Sequence, residues 1–396
     1  MRILWVSNTP LTPSGYGTQT AAFVPRLKAA GHDLAIVAFY GCEGSLLDWN
    51  GVTIYPRHTD PYGNDIIGEH AKHFGAECIL SLIDAWVMDP SRWGDVPWVA
   101  WAPVDTDPIS LAVAQKLRLS AQPIAYSRFG EMQMRSAGLQ PLYVPHGIDT
   151  NVYRPMPRND ARGALGWPQD KFIVGMVAAN KGYPGRKAWE QQIRAFADLR
   201  RKHPESVLYI HALMAPDHDG LNLKTMTEYF GLRPGLDVGW CDQYRYATGM
   251  YTNTEMATLY SGCDVLMNVA YGEGFGLPIL EAQSCGTPVI VGDWTAMGEL
   301  CFAGWAVPKG EVTRLWWPLV SEWRVPHAGA ITDCLMGAYE AAGQQHLRTR
   351  AREGALAYDA DRVMADYWQP ALAAIEDRIL DVPVATCVAP MLRRAA

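Results

Sequence analysis

Short apolar runs recur along the chain, each followed by a loop of small or polar residues and then by a helical pattern. Ile3-Leu4-Trp5-Val6 has the length of a buried strand. A Pro/Gly/Ser loop, Thr9 to Gly17, comes next. Residues Thr20 to Ala30 then put Ala21, Val24 and Leu27 on one side of a helix that Gly31 ends. Leu34 to Phe39 reads as the following strand. Strand, loop, helix and strand in close succession form a βαβ unit, which implies a parallel sheet covered on both faces. Cys78 to Leu82, Trp98 to Ala102, Ile124 to Tyr126 and Leu142 to Pro145 continue the series.

A second series starts at Phe172 to Val177, after the polar, proline-bearing stretch Tyr153 to Asp160. It runs through a helix from about Lys187 to His203 and strands at Val207 to Ile210, Val265 to Val269 and Val289 to Val291. Thr349 to Asp377 is helical in pattern. The division predicted is an α/β half over residues 1–160, a second over 161–355, and a helical tail over 356–396.

Composition agrees with this picture and narrows the partners. A chain of 396 residues exceeds what one core usually serves. With 49% apolar and 19% charged residues it is neither disordered nor fibrous. A net charge of -7 argues against a surface that grips nucleic acid as a whole, but leaves room for a local basic cleft. The eight cysteines are scattered without a C-x-x-C pair, so neither zinc spacing nor a disulfide framework is expected. Met1 to Val6 is too short for a signal-peptide core. Val96 to Val104 holds two prolines and is too short to cross a membrane. The expectation is a soluble cytoplasmic protein with no integral membrane segment.

The stretch from Tyr271 to Val291, YGEGFGLPILEAQSCGTPVIV, carries the chemistry. It is a Gly-rich loop feeding a helix, with Pro278 in the first turn and Gly286 at the end. Gly274 and Gly276 let the backbone approach a ligand, so the amides of Phe275, Gly276 and Leu277 can meet an anion at the positive end of the helix dipole. Glu273 and Glu281 suit hydroxyl groups, because an ionised carboxylate accepts two hydrogen bonds from a vicinal diol. A phosphate flanked by polyols describes a sugar nucleotide.

Glu273-Gly-Phe-Gly-Leu-Pro, then Glu281-Ala and Gly286-Thr-Pro-Val-Ile, resembles the Glu-x7-Glu signature of the retaining glycosyltransferases of family four. Pro145-His146-Gly147-Ile148-Asp149 resembles that family's Pro-Asn-Gly-Val-Asp segment, and Leu259 to Val265 its helix-then-strand segment. The resemblance implies the GT-B architecture: two Rossmann-like domains facing across a cleft, with a C-terminal helix crossing back to the first. It implies that Glu281 holds the ribose, Glu273 the transferred sugar, and the amides of Phe275, Gly276 and Leu277 the sugar and diphosphate. In Asn180 to Lys187, which is similar to the family's basic segment, Lys187 fits the family's Lys. Lys181 stands near its usual Arg and Arg186 compensates. Gly15 and Gly17 sit in the loop that the family closes over the diphosphate.

The expected activity is retaining, metal-independent transfer from a UDP- or GDP-sugar, with no tightly bound cofactor, to a hydroxyl of a saccharide, protein or small molecule. Lys187 and Arg186 stabilise the leaving group. The family often has a His near the sugar, and none lies between His73 and His146, so Asp105 faces the sugar or acceptor instead; Asp84 is a further candidate. A strand followed by Asp105-Thr106-Asp107 is also how metal-dependent transferases hold a cation. Asp359-Ala360-Asp361 shows how cheaply that pattern arises. A hydroxymethyl base in DNA is an alternative acceptor, with Lys116, Arg118, Arg128 and Arg135 as a basic cleft. An NAD-dependent oxidoreductase and a catalytically silent sugar-nucleotide binder are the rivals from other classes.

Overall fold

The computed structural model describes residues 1–182, 185–215 and 220–380, with the side chain of Leu380 excepted. Tyr183 and Pro184 of the basic segment lie outside the described residues, as do Cys387 and positions 381–396 of the expected tail.

Two sheets organise the chain. The first comprises β1 (Arg2–Asn8), β2 (Asp33–Glu43), β3 (Leu47–Trp49), β4 (Val52–Arg57), β5 (Cys78–Leu82), β6 (Trp98–Ala102), β7 (Gln122–Ala125) and β8 (Leu142–Tyr143), in the order β3-β4-β2-β1-β5-β6-β7-β8. All its pairs are parallel except β3 with β4. The second comprises β9 (Phe172–Val177), β10 (Ser206–His211), β11 (Val238–Trp240), β12 (Val265–Asn268), β13 (Val289–Gly292) and β14 (Gly304–Val307), wholly parallel, in the order β11-β10-β9-β12-β13-β14. Every residue of β5, β6 and β7 is buried, as a parallel sheet covered by helices requires.

The first helix begins five residues earlier than its apolar pattern, at Gly15 rather than Thr20. The cause is Ser14: its Oγ accepts from the Gly17 N–H at 3.0 Å and caps the helix. The helix expected from Lys187 begins at Trp189. Ala188 adopts φ +51° there, which turns Lys187 away from the helix axis. The antiparallel hairpin β15 (Val312–Trp317) and β16 (Ser321–Pro326) escaped the sequence reading. It leaves the second half and grips the first. Arg324 pairs with Asp107 at 2.6 Å, and Ser321 Oγ donates to the Pro108 carbonyl at 2.5 Å.

After a 3-10 turn at Leu356–Tyr358 the tail runs as one helical stretch from Ala360 to Leu380, with a π turn at Met364–Trp368, and it returns to the first sheet. Trp368 is fully buried with its ring 4.9 Å from Trp101 and 5.9 Å from Phe23. Arg26 pairs with Asp361 at 2.7 Å. Where the chain crosses back it meets its own outward crossing: Ile148 bridges to Asp359, and Thr150 Oγ1 donates to Asp359 at 2.6 Å. Among the described residues no helix is long and apolar enough to cross a membrane.

Candidate active site

In each sheet the chain reverses its direction of travel at one point, between β1 and β5 in the first and between β9 and β12 in the second. Loops leaving the carboxyl ends of such neighbouring strands diverge and open a crevice, the usual ligand position in open α/β sheets. Here the two crevices face each other. Loops after β9 and β12 bring Lys181, Arg186, Lys187 and Glu273. Those after β1, β5 and β6 bring Gly15, Tyr16, Asp84 and Asp105.

Glu273 is the centre of the second rim. Lys187 Nζ lies 2.5 Å from its Oε1 and Arg186 Nη1 lies 3.2 Å from its Oε2. Arg186 also donates to the Gly272 carbonyl and stands 3.6 Å from Asp105 across the cleft. Burial pushes the Glu273 carboxyl up, but Lys187 and Arg186 outweigh it and hold the group below its ordinary value. Lys187 is pushed down by burial, with Glu273 opposing. Burial acts against the charge on Arg186 too, yet Glu273, Asp105 and Asp84 keep it firmly cationic. Two cations therefore stand among carboxylates at the meeting of the two rims.

The Glu273 N–H donates to Thr295 Oγ1 at 3.1 Å. Thr295 has φ +52°, a conformation a β-branched residue seldom adopts. Sequence reasoning missed Thr295. No motif exposes it, because its role lies in a backbone angle.

Gly276 has φ +106° and precedes the helix Leu277–Ser284. Among the described residues, the N–H groups of Phe275, Gly276 and Leu277 donate to no protein acceptor. Three free amides at a helix N-terminus make an anion cradle. The Phe275 side chain turns away from it and plugs the first half, its ring 5.0 Å from His146 and 6.4 Å from Tyr126. Gly15 belongs to the site's boundary, since a Cβ there would lie 3.5 Å from Leu277 Cδ1. Gly17 does not reach the cleft in the same way. Its N–H is held by Ser14, and a Cβ would come within 2.8 Å of the Thr9 carbonyl, so close packing explains it.

Glu281 lies one turn into the helix, apart from the Glu273 cluster. It is buried, and its Oε2 accepts from Tyr260 OH at 2.7 Å. Burial raises its carboxyl above the ordinary value. Lys181 is exposed, and its charge reaches Asp84.

His146 is walled in by aromatic rings, 4.1 Å from Tyr126 and 4.6 Å from Trp101, and its Nδ1 has no partner among the described residues. Burial pushes this imidazole down to about 3. The unfolded chain, with an ordinary value near 6.5, binds the proton first, so folding stability falls as pH drops below about 6.5 and continues to fall until about 3. Between pH 7 and pH 5 this one group is expected to remove about 2 kcal/mol. In His146→Phe that pH-dependent loss should shrink by about the same amount, read from urea unfolding at both pH values.

The stretch that holds Glu273 and the free amides has relatives among known proteins. Residues 157–301 match the family model described as Glycosyl transferases group 1. The D-inositol 3-phosphate glycosyltransferase of Actinosynnema mirum is 30% identical over 149 residues, covering 38% of this chain and 34% of that protein. The chain thus spans about a third of the length of the first curated relatives it matches. The sucrose-phosphate synthase of Thermosynechococcus elongatus superposes with a TM-score of 0.74 at 18% identity, covering 94% of this chain and 100% of that one. Anabaena HepE, solved in complex with UDP-glucose, gives 0.69 at 15% identity, covering 94% and 100%. The fold is GT-B.

Several other residues singled out from the sequence lie beside the GT-B cleft but point elsewhere. Asp107 turns from Asp105 to Arg324. Asp359 is held by Thr150, and Asp361 by Arg26. Three of the four basic residues singled out on the first half are engaged locally. Arg128 and Arg135 both pair with Glu131, Arg128 stacks on Tyr143, and Arg118 donates to the Ala137 carbonyl.

Proposed function

We propose that the chain is a retaining glycosyltransferase that moves a sugar from a nucleotide-diphosphate donor to a hydroxyl acceptor without a metal. The observation that carries this reading is Glu273 bracketed by Lys187 and Arg186 beside the three free amides of Phe275, Gly276 and Leu277. Glu273 has the geometry to hold sugar hydroxyls. The cations and amides supply positive potential where charge builds on the departing phosphate. Glu281, on the helix behind the cradle, takes the ribose hydroxyls. Lys181, at the rim, adds its charge to the diphosphate.

In the reaction the acceptor oxygen bonds to the anomeric carbon as the bond from that carbon to the phosphate oxygen breaks. The acceptor proton passes to the leaving phosphate on the same face, which retains configuration. Glu273 positions the sugar rather than bonding to it. Facing rims exclude water and so suppress hydrolysis. The name of the UDP-glucose complex above makes a UDP-sugar the first donor to try, with GDP-sugars second.

Calorimetric titration with UDP-glucose, GDP-mannose and NAD tests the reading. A sugar nucleotide should bind, and Glu281→Ala should weaken it about tenfold or more. Binding of NAD alone, or unchanged donor affinity in Glu281→Ala, would overturn it. Donor hydrolysis in the same samples separates an enzyme from a silent binder.

A further inference from the structure

The donor reading uses the crevice between β9 and β12 and leaves the facing one unassigned. That second crevice, between β1 and β5, is lined by Tyr16, Asp84, Asp105 and Tyr126. Asp84 Oδ2 accepts from Tyr16 OH at 3.1 Å, and the Tyr126 hydroxyl lies beside that of Tyr16. Asp84 forms no ion pair among the described residues, and Asp105 meets only Arg186, at 3.6 Å. Burial raises both carboxyls, and each carries the influence of a neighbouring carboxylate, Asp105 on Asp84 and Glu273 on Asp105. The first half contributes no cation to this pair. Arg26 is held by Asp361, and Arg128 and Arg135 by Glu131, on other faces.

Resting on the donor reading above, with the acceptor on the first half, we propose that the acceptor is an uncharged polyol, whose hydroxyls donate to Asp84 and Asp105. Each carboxylate has lone pairs left for such hydrogen bonds, and the tyrosine hydroxyls can donate or accept. A phosphorylated acceptor meets the opposite situation. Its charge would face two carboxylates in a partly desolvated cleft, where like charges repel strongly. Arg186 cannot relieve this, because the donor diphosphate claims it. Lys181 is exposed at the rim and is drawn to the same diphosphate. The Asp84–Tyr16 bond also ties the acceptor crevice to the first turn of the helix whose Gly15 lies so near Leu277 that a Cβ would stand 3.5 Å from its Cδ1, so both substrates rest beside one element.

The test is saturation-transfer NMR on the full chain with saturating UDP, using inositol, glucose and ribose beside their monophosphates. The neutral member of at least one pair should bind, and its phosphate ester at least tenfold more weakly. Asp84→Asn should weaken the neutral ligand about tenfold or more, and Asp84→Lys should reverse the preference. A wild-type circular-dichroism spectrum and retained UDP binding report that both variants fold. Tighter binding of the phosphate esters, neutral binding unaffected by Asp84→Asn, or no acceptor bound while UDP binds would each overturn the proposal. Failure of the wild-type chain to bind any nucleotide or sugar nucleotide would sink the donor reading instead.

Discussion

Replacing Lys187 by alanine is expected to lower turnover roughly a hundred- to a thousandfold while changing donor affinity only a few-fold. The ammonium lies 2.5 Å from Glu273 on a segment that Ala188 turns toward the cleft. In the resting protein it neutralises that carboxylate. On the reading proposed here, it stabilises the departing diphosphate when the bond to the sugar breaks, and a charge that matters most at that moment shows in turnover. A second readout comes from Glu273. Its carboxyl is raised by burial but held low by Lys187 and then Arg186, so losing Lys187 moves it back up. The acid limb of the pH–rate profile should therefore shift to higher pH in Lys187→Ala. Full turnover, or a limb that stays in place, would remove Lys187 from the mechanism.

The largest expected effect on stability comes from Arg162→Ala. Arg162 is fully buried, 2.6 Å from Asp264, and donates as well to the carbonyls of Gly262, Gln169 and Lys171. Asp264 in turn accepts from Arg158 and from the Ile173 N–H. One guanidinium thus ties the start of β9 to the turn before β12, the two strands that flank the second crevice. Removing it leaves a buried carboxylate with only part of its compensation, which typically costs about 3–5 kcal/mol. For a half of this size the melting temperature should fall by on the order of 10 °C. A change below about 2 °C in calorimetry would show that the network is dispensable.

Much of the fold was legible because parallel strands are short, apolar and separated by helices, and the chain has that rhythm in both halves. The segments that meet at Glu273 were legible for a different reason. Glu273, Gly276 and Arg186 sit in compact stretches rich in Gly, Pro and charge, whereas Lys187 owes its direction to the positive φ of Ala188, which the sequence did not announce. What escaped depends on long-range partners. The hairpin Val312–Pro326 carries Trp316, Trp317 and Trp323 in no clean alternation, and its purpose is visible only where Arg324 meets Asp107. Gly17, a second-choice site glycine in the sequence, is packed against the Thr9 and Thr12 carbonyls. A helix cap at Ser14 decides that, and caps are read from backbone geometry. Phe275 was expected to lend its amide and does present it, but the ring has separate work, joining the aromatic cluster of the other half. Tyr16 carried no signal at all until Asp84 came within reach of it.

The chain passes between its halves twice, near Ile148 and near Asp359, and those passages are bonded to each other by the Ile148 bridge and the Thr150 hydroxyl. Two separate linkers would permit the halves to slide as well as turn. Two linkers fastened together act as a single pivot, with the Gly147 backbone so close to Ala360 that a Cβ would lie 2.9 Å from its Cα. Rotation about that pivot is the remaining easy freedom. The contacts it must break lie elsewhere and include Arg324 with Asp107, Arg186 with Asp105, Glu299 with the amides of Arg128 and Phe129, Ser321 with the Pro108 carbonyl, and Phe275 in its aromatic socket. On the reading proposed here the latch shares one cation, Arg186, with the diphosphate, so donor arrival and the release of one half from the other draw on the same charge.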